Sequence, residues 1–115
     1  MTSGPYTGRR ETIHYKLMGR LAVPCKDFLE WGDCLRSPER HVGDEHVGAV
    51  RISTVFLGID QNHGFCELPI LFETMVFRGG QPAECWRYET WDEAETGHKA
   101  AVALVRAEIK EKVNE

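Results

Sequence analysis

The sequence has no apolar run approaching the roughly 20 residues that span a bilayer. Its first residues, Met1-Thr2-Ser3-Gly4-Pro5, are small and polar, with none of the apolar character of a secretory signal. The expectation is a cytoplasmic protein with no membrane contact. No two of the four cysteines, Cys25, Cys34, Cys66 and Cys85, stand in a C-x-x-C arrangement. That spacing gives no support to a zinc ribbon or a dithiol redox motif. In a reducing compartment it leaves four thiols packed as small hydrophobes.

Basic clusters are scarce as well. Arg9-Arg10 is the one adjacent basic pair, Glu11 follows it, and the net charge is -4. Nucleic-acid binders gather cations on one face, so this balance speaks against one. There is no G-x-x-x-x-G-K, no glycine-rich turn opening a helix, no H-E-x-x-H and no EF-hand loop. His41 and His46 enclose Asp44 and Glu45, with Asp60 and His63 further on. Histidines five apart lie off a shared helical face and point oppositely in a strand, so the group reads as a solvated loop and not as a metal site. No motif calls for a cofactor.

What is present suits one folded domain: 115 residues, 42% apolar and 28% charged. The pattern predicts a flexible arm over residues 1–11 and an α+β domain over 12–115. Strands are expected over 12–18 and 21–23, and a short helix near 26–36 with Phe28, Trp31 and Leu35 at helical spacing. Residues 39–48 read as a charged connection. The β-branched run 49–59 and the run 69–78 read as strands around a polar loop at 60–68. Residues 79–82 form a turn and 85–88 a short strand. Thr90, three residues before Glu93, makes a capping box that opens a long helix over 91–112. Its apolar stripe is Trp91, Ala94, Ala101, Val102, Val105 and Ile109, with His98 on the same stripe. The whole is an antiparallel sheet of about four or five strands, a central meander over 49–89, with the long helix across one face.

Glu73 is the anomaly, a carboxylate among Leu71, Phe72, Met75, Val76 and Phe77. Burying it costs several kcal/mol, on the order of the penalties found in real proteins, unless a partner compensates. His98, Arg87, Tyr88, Arg51, Ser53 and Thr54 are candidates. One reading is a polar pocket in which Glu73, His98 and Arg87 or Tyr88 meet a ligand. The other is a satisfied buried network that fixes strand register and helix docking. Asp60, Asn62 and His63 form a second candidate group in the loop. Trp86 and Tyr88, two residues apart, share a strand face and could offer a stacking surface. Both faces of the 71–77 strand are largely apolar, which predicts a homo-oligomer.

The segments "STVFLGID" (53–60), "LFETMVF" (71–77) and "RYETWDEAETGH" (87–98) resemble the core of a family of small proteins encoded by tailed bacteriophages and prophages. The resemblance extends loosely to "VPC" (23–25) and "EW" (30–31) and covers about two thirds of the chain. It implies a context and transfers no catalytic residue. Where the family pattern has a histidine after the aspartate and a glycine-rich loop, this chain has Gln61 and "NHGFCEL". Small accessory phage proteins bind host components. The resemblance therefore implies a non-enzymatic binding protein that blocks or sequesters a host protein or a nucleotide-like signal, including one of host defence. Two alternatives stand beside it: a small enzyme acting on a nucleotide-like metabolite with Glu73 and His98 as acid and base, and an interaction module with no small-molecule site.

Overall fold

The computed structural model describes residues 12–65 and 68–113. The expected arm at 1–11 and Cys66 lie outside the described residues. The architecture is α+β, as the pattern of elements predicts. Strands β1 (Tyr15–Met18) and β2 (Leu21–Pro24) form a hairpin, followed by helix α1 (Phe28–Arg36) and a single 3₁₀ turn at Pro38–Arg40. Strands β3 (His41–Val47), β4 (Val50–Phe56), β5 (Phe72–Arg78) and β6 (Gln81–Tyr88) then run as an antiparallel meander in the order β3-β4-β5-β6. Helix α2 (Trp91–Val113) closes the chain.

Two sequence expectations need correction. Residues 41–47 are not a connection but a full strand, paired from Val47↔Val50 to His41↔Val55 with an irregularity between His41 and Gly43. The strand before α2 begins at Gln81 rather than Cys85, so the turn expected over 79–82 contracts to Gly79-Gly80. In both cases pairing with the neighbouring strand overrides weak local β preference.

α2 begins as its capping box requires. The Glu93 amide donates to Thr90 Oγ1 at 3.1 Å, and Glu93 Oε1 accepts from the Thr90 amide at 3.1 Å. The helical period then buries Ala94, His98, Ala101, Val102 and Val105 against the sheet. Ala101, Val102 and Val105 meet Ile52 of β4 and Val76 of β5, with Val47, Val50 and Ile109 at the rim. A second cluster at the other end joins Tyr15, Phe56, Leu71, Phe72 and Ala94, and the β1–β2 hairpin and α1 close it through Leu17, Ala22 and Cys34. Full burial of side chains such as Ile52, Val76 or Phe72 contributes about 1.5–3 kcal/mol each. Among the described residues, no helix or strand packs across the other face of the four-stranded sheet. No helix among them is long and apolar enough to cross a membrane.

Candidate functional site

Strand alternation divides the expected site residues between the two faces of the sheet. Phe72, Thr74 and Val76 of β5 point toward α2, while Glu73, Met75 and Phe77 point away. Thr54, Tyr88 and His98 belong to the helix side, and Glu73, Arg87 and Arg51 to the uncovered side. The structure therefore does not bring Glu73 and His98 together, and the acid/base pair of the enzyme reading is not formed.

On the helix side the polar groups make one continuous chain. Tyr88 OH donates to Thr74 Oγ1 at 3.0 Å, and Thr74 Oγ1 lies 2.6 Å from Thr54 Oγ1. Thr54 Oγ1 lies 2.7 Å from His98 Nδ1, and His98 Nε2 lies 2.8 Å from Glu45 Oε1. Thr54 and Thr74 are fully buried and His98 is 5% exposed. Each hydroxyl has one proton to give, so with a neutral imidazole protonated on Nε2 the chain runs in one direction. The tyrosine donates to Thr74, Thr74 to Thr54, and Thr54 to Nδ1 of an imidazole whose Nε2–H donates to Glu45. This tautomer satisfies every member; it follows from the hydrogen-bond inventory. Arg106 stands 3.7 Å from the other oxygen of Glu45.

Two glycines admit the ends of this chain. A β-carbon on Gly43 would stand 2.5 Å from His98 Nε2, and one on Gly97 would overlap the Tyr88 hydroxyl. A carboxylate, an imidazole and a hydroxyl in sequence resemble the activated nucleophile of acyl-transfer enzymes. Here, however, the hydroxyl is Thr54, which no substrate can reach. The array is a satisfied interior network.

On the uncovered face the register places Arg51 beside Phe77, Ser53 beside Met75, and Val55 beside Glu73, with Cys85 and Arg87 on β6. Arg51 makes two bonds to Asp44, at 3.0 and 2.9 Å, and its guanidinium lies over the Phe77 ring, 5.6 Å from the centroid. Glu73 Oε2 accepts from Arg87 Nε at 3.0 Å. The Glu73 side chain is 16% exposed and that of Arg87 52%. The carboxylate is thus mostly buried with a partner from another strand, and that partner is half in water. Val55, Met75 and Phe77 form a half-buried apolar strip between the two ion pairs. The Arg51 guanidinium, by its hydrogen bonds and charge, holds the Asp44 carboxyl below the usual carboxylate range. Burial, and then the neighbouring Glu73 carboxylate, push the Cys85 thiol up.

The loop candidates serve the backbone. Asp60 is fully buried and accepts from the amides of Asn62, Gly64 and Ile70 at 2.8–3.0 Å. It ties the turn at 60–64 to Ile70. His63 is exposed and takes a left-handed φ of 53°. Among the described residues, no group of three His, Cys, Asp or Glu side chains could hold a metal ion.

Sequence reasoning missed Glu45 and Thr74. Glu45 was hidden by reading 39–48 as a connection, although Gly43, Glu45 and Val47 alternate as one strand face does. Thr74 was visible on the face of Phe72 and Val76, where a buried hydroxyl implies a partner. Set against known proteins, the chain matches no family model, no curated protein and no solved structure.

Proposed function

We propose that the chain is a non-enzymatic accessory binding protein of phage type, acting in the host cytoplasm. It occupies a host protein through the uncovered face of its four-stranded sheet. One observation carries the reading: the hydroxyls and the imidazole of the catalysis-like array are buried, while Val55, Met75 and Phe77 stand half-buried between the Asp44–Arg51 and Glu73–Arg87 pairs, with no helix or strand of the described residues across them. An apolar strip rimmed by charges has the anatomy of a protein interface. The cations on this face already have carboxylate partners, which favours a protein over a nucleotide signal, whose phosphates need cations of their own. Antagonism of a host defence protein is the specific role this context suggests.

The expected homo-oligomer rests on the same face, so light scattering of the purified protein comes first. A mass near 13.1 kDa leaves the face to a foreign partner, and a multiple of it gives the face to a second copy. The protein is then immobilised, exposed to bacterial lysate, washed and heated. Stoichiometric recovery of one host protein, with no small molecule released, supports the proposal. A released nucleotide, or a metabolite returned chemically altered, would overturn it.

A further inference from the structure

β6 is an edge of the sheet. Its helix-side row is Glu84, Trp86 and Tyr88, set by pairing with Val76, Thr74 and Phe72. Beside it, a groove of about 200 Å³ is lined by Trp86, Tyr88, Gly97, Ala100, Ala101 and Leu104. Trp86 is 38% and Leu104 53% exposed, a large apolar surface for the rim of a groove. The Tyr88 side of the floor is fixed, because its hydroxyl is tied to Thr74. The wall from α2 is low, because the residues it presents at Gly97 and Ala100 are small.

The ends of the groove carry an excess of negative charge. Asp92 and Glu93 continue it past Tyr88 and Thr96. At the other end Glu84 and Glu108 share the single guanidinium of Arg78. Four carboxylates thus stand toward the ends of the groove against two cations, Arg78 between Glu84 and Glu108 and Arg20 near Asp92. A strand edge presents unpaired backbone groups. A strand added to it turns every second side chain toward the helix, where the groove is.

We propose that the β6–α2 groove takes an extended segment of a partner protein, added as a fifth strand to the sheet. The segment carries an aromatic or branched residue for the apolar slot, flanked by lysine or arginine for the acidic ends. This surface is distinct from the uncovered sheet face, and its failure would leave the reading of that face standing.

The test uses a fluorescein-labelled nonapeptide, KTKTFTKTK, whose phenylalanine and lysines share one strand face, and its acidic twin ETETFTETE. Full-length protein is titrated with each, and amide exchange is followed by mass spectrometry. The expected result is binding of the basic peptide at least tenfold tighter than its twin, with exchange slowed within residues 81–88. Ala100→Leu, which fills the slot, and Asp92→Lys should each weaken it about tenfold, with the unfolding midpoint confirming the fold. Equal binding of the twin, no slowed exchange at β6 with millimolar peptide, or affinity unchanged by Ala100→Leu would overturn the proposal. So would protection of β6 that grows with protein concentration alone, which would give the edge to a second copy.

Discussion

Gly97 of α2 sits so close to the Tyr88 hydroxyl that a β-carbon there would overlap it. A glycine inside a helix costs about 1 kcal/mol relative to alanine, so Gly97→Ala in an ordinary helix would stabilise. Here it must move Tyr88 off Thr74 or push the helix from the sheet. The expected outcome is therefore the opposite sign, a loss of about 1–3 kcal/mol, the scale of overpacking. Gly43→Ala, which meets the His98 ring, should behave likewise. Urea denaturation reads both, and a rise in midpoint for Gly97→Ala would contradict the packing described.

Thr54→Val keeps the shape and removes the central hydroxyl. His98 Nδ1 and Thr74 then each lose a buried partner. The expected loss is about 1–3 kcal/mol, the cost of leaving buried polar groups unsatisfied. An unchanged midpoint would show that the Thr54 hydroxyl does not bridge Thr74 and His98.

Glu73→Gln should act quite differently. Its partner Arg87 is half exposed, and exposed ion pairs are worth about 0–1 kcal/mol. Stability should change by less than about 1 kcal/mol. Cys85, no longer beside a carboxylate, should react faster with iodoacetamide at pH 8. A loss of several kcal/mol would place Glu73 in a buried network after all.

The contrast between Thr54 and Glu73 shows what the sequence could convey. α2 was legible because its start is a local signal, Thr90 with Glu93, and its stripe repeats at helical spacing. β4 and β5 were legible from their β-branched and aromatic runs. β3 was not, because Gly43, Asp44, Glu45 and His46 have little strand preference and gain their conformation from pairing with β4. Alternation along β5 separated Glu73 from Thr74 correctly. It could not say which side α2 covers, because both sides are largely apolar. Arg87 was among the candidate partners of Glu73, whereas the meeting of Glu73 with His98 required a shared face that the pleat denies them.

Thr90→Ala should cost about 1 kcal/mol, the usual scale for an N-cap. The Thr90 side chain accepts from the Glu93 amide, so the loss should appear in the midpoint and in faster exchange over the first turn of α2. A midpoint equal to that of the unaltered protein would place the start of the helix elsewhere.

Acid should weaken the fold in part through Asp44. Its carboxyl titrates lower in the folded protein than in the unfolded chain, where the value is about 3.9. The resulting stabilisation is therefore complete above that value and lost as the pH falls through the lower, folded one. Asp44→Asn should lose less stability between pH 6 and pH 2 than the unaltered protein. An equal or steeper loss would show that the Arg51 pair is not formed in solution.

The division of the sheet into a sealed face and a working face is tested most directly by one paired measurement. Thr54→Val and Phe77→Glu are each assayed for unfolding midpoint and for host-protein capture per folded molecule. Thr54→Val should lower the midpoint and keep the captured protein. Phe77→Glu, half-buried on the uncovered face, should cost about 1–2 kcal/mol, part of the value of fully burying such a side chain, and lose the captured protein. Loss of capture by folded Thr54→Val, with capture intact in Phe77→Glu, would contradict the account and return function to the interior network.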